Sequence, residues 1–158
     1  MIHSTMSSPI GDLLLVGDGT SLTALYTPEH VRMPASTGDR DNAAFGQVRE
    51  QLVEYFDGQR AEFELALAPL GTAFQQQVWQ ELRRIQYGDT ASYGQIARRV
   101  GNPRAVRAVG HANGRNPISI IVPCHRVVGS DGTLTGYAGG LAAKQWLLSH
   151  EAKHAGNT

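Results

Sequence analysis

At 158 residues, with a formal net charge of zero and a single cysteine, the chain is long enough to bury a core without disulfides and holds too few thiols for an internal bridge or a Cys₂ or Cys₄ zinc site. No apolar run approaches the ~18 residues of a membrane span, and the start, MIHSTMSSPIGD, lacks a secretory pattern, so composition points to a reduced, cytoplasmic setting. The neutral total hides an asymmetry: residues 1–70 carry four Arg against ten Asp and Glu, and residues 71–158 carry ten Lys and Arg against four Asp and Glu. A basic half of that kind suits a phosphate-binding surface, while a chance dipole fits the charges equally well.

Short β-prone runs come first, at Ile2–Met6, Leu13–Val16 and Leu22–Tyr26, separated by turn residues around Pro9-Ile10-Gly11 and Gly17-Asp18-Gly19. They predict an antiparallel meander. Thr27–Asn42, with Pro28, Pro34 and Gly38, reads as a loop, and Ala44–Phe56 has helical spacing at Phe45, Val48, Leu52 and Phe56. ALAPLG, from Ala66, reads as a connector.

Thr72 and Gln75 form a capping-box pattern ahead of a helix whose apolar face is Phe74, Val78, Leu82 and Ile85, ending before Tyr87-Gly88. Ser92 and Gln95 repeat the pattern for a helix over Tyr93–Val100, stopped by Gly101. Asn102 then caps a further helix starting at Pro103 and running to Gly114, which together predict a helix-turn-helix. Ala105, Ala108, Gly110 and Ala112 leave this second helix nearly without bulk, and Arg104, Arg107 and the nearby Arg115 add cations. A helix facing nucleic acid and a helix packed tightly in its own domain both fit that pattern.

Ile118–Val122 is a mostly β-branched run that delivers the chain, buried, to Pro123-Cys124. A lone cysteine in such a place is commonly an inert small hydrophobe. The adjacent His125 and Arg126 supply the base and cation that a reactive thiol needs, although neighbouring side chains often point apart.

The segments NPISIIV-PCHRV, GYAGG and KQWLLSHE, with SYGQIA and AVRAVG upstream, closely resemble the O6-alkylguanine-DNA alkyltransferases, also called methylated-DNA–protein-cysteine methyltransferases, from Gly71 to about Glu151. Residues 1–65 are similar to that family's variable amino-terminal domain in pattern only. The resemblance implies an α+β chain: a ribonuclease-H-like sheet-and-helix domain over 1–65, a connector over 66–72, a mainly helical, winged-helix-like domain over 73–152 and a tail over 153–158. It also implies a single-turnover repair protein. A monomer would bind double-stranded DNA through the minor groove, flip out the damaged base, and move the alkyl group of O6-alkylguanine, or O4-alkylthymine, to its own cysteine, with no membrane and no cofactor.

By position, Cys124 resembles the acceptor, His125 the base that acts on it through a water, and Glu151 the carboxylate that orients the histidine. Asn116 resembles the residue holding the turn around the site, and Tyr93 the donor to the departing guanine. Arg107 resembles the arginine that replaces the extruded base, with Tyr93, Arg104, Ala105, Ala108, Gly110 and Arg115 on the same DNA-binding face. Val127, Tyr137, Ala138 and Gly139 resemble the walls of the guanine pocket, where Ala138 offers its backbone N–H to O6. Read without the resemblance, Glu151 is a surface acid near a helix end, Tyr93 a half-buried aromatic and Asn116 a turn residue before Pro117. Gln86 stands where relatives commonly have proline and His111 where they often have a small residue. The zinc ligands of some relatives are not recognisable, so no metal is expected. A cysteine hydrolase built on Cys124 and His125 would leave a basic helix-turn-helix without a role, and a non-catalytic lesion reader would lack the cysteine.

Overall fold

The computed structural model describes residues 1–34, 37–134 and 136–157. Positions 35 and 36 of the expected 27–42 loop, and the last residue of the expected tail, lie outside the described residues.

Alternating burial folds the start of the chain into the expected meander of β1 (Ile2–Met6), β2 (Leu13–Gly17) and β3 (Leu22–Tyr26), both pairings antiparallel. The expected loop after β3 contains a two-residue strand, β4 (Asp39–Arg40), which adds parallel to β1 and gives the order β3-β2-β1-β4. Gly38 permits this close return: it sits at φ 77°, and a Cβ there would run into the Met1 carbonyl. A short 3-10 turn (Ala43–Phe45) leads into α1 (Gly46–Phe56). Its buried face is Val48, Gln51, Leu52 and Tyr55, so the apolar spine ends on Tyr55, while Phe56 is half-buried. Gln51 is tolerated inside because its amide exchanges two hydrogen bonds with the Glu64 backbone.

Both capping boxes form. Thr72 starts α2 (Ala73–Leu82) and Ser92 starts α3 (Tyr93–Arg99), each hydroxyl accepting from the backbone N–H three residues on, and each glutamine reaching back. Gly101, at φ 82°, ends the α3 segment. The next helix begins later than its sequence suggests. The N-cap is Ala105, not Asn102, whose carbonyl accepts from Ala105 N–H in a reverse turn, and α4 runs from Val106 to Gly114. The run Ile118–Val122 is buried as expected but is not a regular strand. Beyond it β6 (Val127–Val128) pairs in parallel with β5 (Ala91–Ser92), and α5 (Leu141–His154), followed by a 3-10 turn (Ala155–Asn157), extends helix into the expected tail.

One apolar core joins the sheet, α1 and the helical half, from Leu13, Leu15, Leu25 and Leu52 through Val78, Leu82, Ile96 and Val109 to Ile118 and Leu147. The fold is thus α+β, a sheet-and-helix part followed by a mainly helical part. Among the described residues no helix is long and apolar enough to cross a membrane.

Candidate active site

The site begins where the helical half meets the edge of the sheet. Leu25 of β3 donates to Pro117 O and accepts from Ser119 N, so the segment before the cysteine is stitched to a strand. Asn116 shapes the path of that segment. Its Oδ1 accepts from Ile118 N at 3.1 Å, and its Nδ2 donates to Ile118 O at 3.2 Å and Val122 O at 2.9 Å, folding residues 116–122 around one buried amide. Within that fold Ile120 is forced to φ 73°, bridged by Ile121 N–H to Ser119 O at 2.8 Å. A positive-φ γ-turn at a β-branched residue is strained, by roughly 1–3 kcal/mol, and persists only where its surroundings over-determine it. Pro123 comes next at φ −82°, ψ 62°, bridged by Cys124 N–H to Val122 O at 2.8 Å: an inverse γ-turn for which the proline ring already sets φ. Two tight turns therefore prevent the apolar run from continuing as a strand and place Cys124 at the head of a 3-10 turn, Cys124–Arg126.

Cys124 is 4% exposed. Burial pushes its thiol above the ordinary value, opposed by the Asn116 side chain, the Lys144 ammonium and the Tyr137 hydroxyl nearby. The thiol is therefore protonated at neutral pH. The expected cation, Arg126, does not serve the cysteine; it turns to Glu151 and to Ile85 O. Lys144 of α5 takes that place, fully buried, with its Nζ donating to Val127 O at 2.6 Å and its own pKa lowered by burial. Tyr137 faces the thiol and Ser119 without a well-formed hydrogen bond to either.

His125 is fully buried and its Nε2 lies 2.8 Å from Glu151 Oε2. A carboxylate there fixes the tautomer: Nε2 carries the proton, and Nδ1, buried and without a protein partner, keeps its lone pair. Burial lowers the imidazole pKa, with Glu151 opposing, so the ring is neutral and able to accept a proton at neutral pH. Glu151 is also fully buried. Burial alone would raise its carboxyl, but His125 and Arg126 hold it well below the usual carboxylate range. Arg126 donates to Oε1 at 2.7 Å and to Oε2 at 3.0 Å, and Tyr55 of α1 donates to Oε2 at 2.6 Å. Lys144 and Tyr55 are functional candidates that sequence reasoning missed, since only the fold brings them to the cysteine turn; Arg126, expected as a cation for the thiol, serves Glu151 instead.

Of the residues expected to wall a guanine pocket, Tyr137 is the one that faces the thiol. Val127 is core, in β6, with its carbonyl facing Lys144. Tyr137 and Ala138 are half-buried, and Gly139 is buried where a Cβ would collide with Thr27 Oγ1. The Ala138 carbonyl accepts from Val31 N–H at 2.9 Å, so the loop after β3 backs the segment at 137–139. A cavity of about 410 Å³ lies against Phe63, Tyr87, Ile120 and Arg126 and is not lined by Cys124.

On α4, Val109, Ala112 and Asn113 face inward, and Trp79 Nε1 donates to Ala112 O at 2.8 Å, locking α2 to α4. Arg107, Ala108 and His111 are exposed on α4, Arg104 precedes it and Arg115 follows it, both exposed, and Ala105 is half-buried. Gly110 is half-buried against the Tyr93 ring, where a Cβ would make ordinary contact at 3.9 Å. The structure therefore brings Tyr93 beside the small-residue helix, and sets the Cys124, His125, Glu151 and Asn116 group on the buried side of the same half.

Two family models match the chain. One described as 6-O-methylguanine DNA methyltransferase, ribonuclease-like domain, covers residues 1–69, and one described as 6-O-methylguanine DNA methyltransferase, DNA binding domain, covers residues 73–153. A Mycobacterium leprae protein named methylated-DNA–protein-cysteine methyltransferase is 53% identical over 156 residues, 98% of this chain and 94% of that one. A Methanosarcina acetivorans protein of the same name is 47% identical over 154 residues, 96% of this chain and 98% of that one. Among solved structures, Mycobacterium tuberculosis OGT in complex with DNA superposes with a TM-score of 0.93 at 48% identity, covering 98% of this chain and 94% of that one.

Proposed function

Because the chain belongs to the methylated-DNA–protein-cysteine methyltransferase family, we infer that it is a DNA repair methyltransferase that takes the alkyl group of O6-alkylguanine in DNA onto Cys124. O4-alkylthymine presents the same O-alkyl bond and is the second substrate. The observation that carries this reading is a buried Cys124 thiol on the same 3-10 turn as His125, whose Nε2 is held by Glu151 and whose Nδ1 keeps a lone pair for a proton.

In the reaction, Sγ attacks the alkyl carbon in line with the departing O6. The S–C bond forms as the C–O bond breaks, and the thiol proton passes through a water to His125 Nδ1. The imidazolium so formed is stabilised by Glu151, whose charge is already fixed by Arg126. The guanine leaves as an anion unless a donor meets it, and Tyr93, at the start of α3, is the donor assigned to it. Asn116 holds the cysteine turn; Val127, Tyr137, Ala138 and Gly139 hold the base. Minor-groove binding as a monomer places the exposed face of α4 against the duplex, with Arg104 and Arg115 toward phosphates and Arg107 filling the space of the extruded base. Small residues at Ala105, Ala108 and Gly110 suit that approach. Residues 1–65 and 73–152, joined by 66–72 and followed by the 153–158 tail, are the units of this reading. The rival, a lesion reader without transfer, has no use for the thiol.

Cys124→Ser tests the assignment. It should abolish methyl transfer from a duplex carrying one O6-methylguanine and keep binding to that duplex, because a hydroxyl is far less nucleophilic while the pocket barely changes. Measurable methylation of the variant would remove Cys124 as the acceptor.

A further inference from the structure

Glu151 Oε2 collects three donors, Tyr55 Oη at 2.6 Å, His125 Nε2 at 2.8 Å and Arg126 Nη2 at 3.0 Å, while Oε1 accepts from Arg126 Nε at 2.7 Å. His125 and Arg126 both stand on the 3-10 turn that carries the nucleophile. Both therefore belong to the element that carries the nucleophile. Tyr55 is the donor that stands elsewhere, 96 residues away in sequence on α1.

Tyr55 is itself rigidly held. It is fully buried, and His150 Nε2 lies 2.8 Å from its carbonyl. Its ring packs against Phe56, Phe63, Tyr87 and His150 with centroids 5.2 to 6.1 Å away. Burial, then the charge of Glu151, push the phenol well above its ordinary pKa, so it stays protonated and acts as a donor throughout the working range. α5 is thus clamped to α1 at two successive residues, through His150 to the Tyr55 backbone and through Glu151 to the Tyr55 hydroxyl.

We propose that Tyr55 is a positioning residue for alkyl transfer, its hydroxyl holding Glu151 Oε2 in line with His125 Nε2 so that the amino-terminal half completes the proton relay. The proposal rests on the reading of Cys124 as acceptor and His125 as its base. A carboxylate held only by Arg126 can rotate with the guanidinium fork; one held also from α1 keeps Oε2 in one place against His125 Nε2. The groups facing Glu151 are His125 and Arg126 on the cysteine turn, Tyr55 on α1 and Tyr87 in the turn after α2, with Lys144 on α5 acting on His125.

The test compares full-length wild type and Tyr55→Phe on a duplex carrying one O6-methylguanine, following Cys124 methylation by quenched intact mass from about pH 5 to 9. Tyr55→Phe should still reach one methyl per chain, but about tenfold more slowly, as when a partner that orients a histidine from outside is lost. Its acid limb should move to higher pH, because without the phenol proton both Glu151 and His125 become more basic. An unchanged rate and limb, or a lower plateau with the limb in place, would overturn the proposal, the second outcome marking a purely structural tyrosine. Should Tyr55→Phe fail to fold, 3-fluorotyrosine at position 55 keeps the ring and strengthens the donor; the limb should then move to lower pH, and an unmoved limb is the overturning result. A wild type that never methylates Cys124 would instead remove the reading beneath the proposal.

Discussion

Burial sets the state of the proposed nucleophile and base at the residue scale: Cys124 is kept a thiol and His125 a neutral imidazole. The pair is thus stored with the proton still on sulfur, and transfer begins only when a base is presented. Since His125 must be neutral to accept that proton, and burial depresses its pKa below the ordinary 6.5, protein that is still folded should keep transferring as the pH falls past 6.5. The acid limb of the transfer rate is expected below that value, in single-turnover measurements across pH; a limb at or above 6.5 would mean that His125 is not the base or is not buried during reaction. Much of this chemistry can be read from PCHRV, because a cysteine, a histidine and a preceding proline are adjacent in sequence. The rest cannot. Glu151 reads as a surface acid until α5 is packed against α1 and the cysteine turn, and Tyr55 reads as one more aromatic on a helix face. Arg126 looks like a cation for its neighbour Cys124, yet the 3-10 turn sends it to Glu151 and leaves Lys144, from a different helix, beside the thiol.

Helix starts, at the scale of elements, are set by local chemistry and are visible in the sequence where a side chain does the capping. The boxes at Thr72 and Ser92 form as their four-residue patterns predict. Thr72→Ala should lower stability by about 1 kcal/mol, or roughly 2–4 °C in Tm for a chain of this size; an unchanged Tm would mean that α2 is held by packing alone. Where the cap is not a side chain the pattern misleads: Asn102-Pro103 looks like a helix start, but the residues form a reverse turn first and α4 begins at Val106. Ile118–Val122 misleads for a different reason, since β-branched residues favour strands and only the Asn116 amide and Pro123 divert them into two γ-turns. The exposed face of α4 gives the second prediction at this scale. Arg107→Ala should slow repair of O6-methylguanine in duplex DNA more than reaction with free O6-benzylguanine, because only the duplex leaves a gap where the base was. Equal losses on both substrates would deny Arg107 that role.

The whole molecule divides its labour unevenly. The acidic amino-terminal half supplies the sheet edge that stitches the cysteine segment, the loop that backs Ala138 and the Tyr55 hydroxyl, while the basic half supplies the thiol, the His125–Glu151 pair and the exposed arginines around α4. The family match extends over both halves, at 1–69 and 73–153. The charge asymmetry alone could have been accidental, and the strands of the first half carry no functional motif, so its contacts with the site were not legible in the sequence. What the whole chain does is fixed by the product it makes. A thioester can be attacked by water at its carbonyl carbon, whereas an alkyl thioether has no such electrophilic centre, so Cys124 once alkylated should remain so. Titration of the intact protein with increasing amounts of duplex carrying a single O6-methylguanine, read by intact mass and by the fraction of restored guanine, tests this most directly. A rise of one methyl per chain, located on Cys124, with repair stopping at one equivalent is the predicted result; guanine restored beyond one equivalent, or repair that leaves the mass of the protein unchanged, would contradict it.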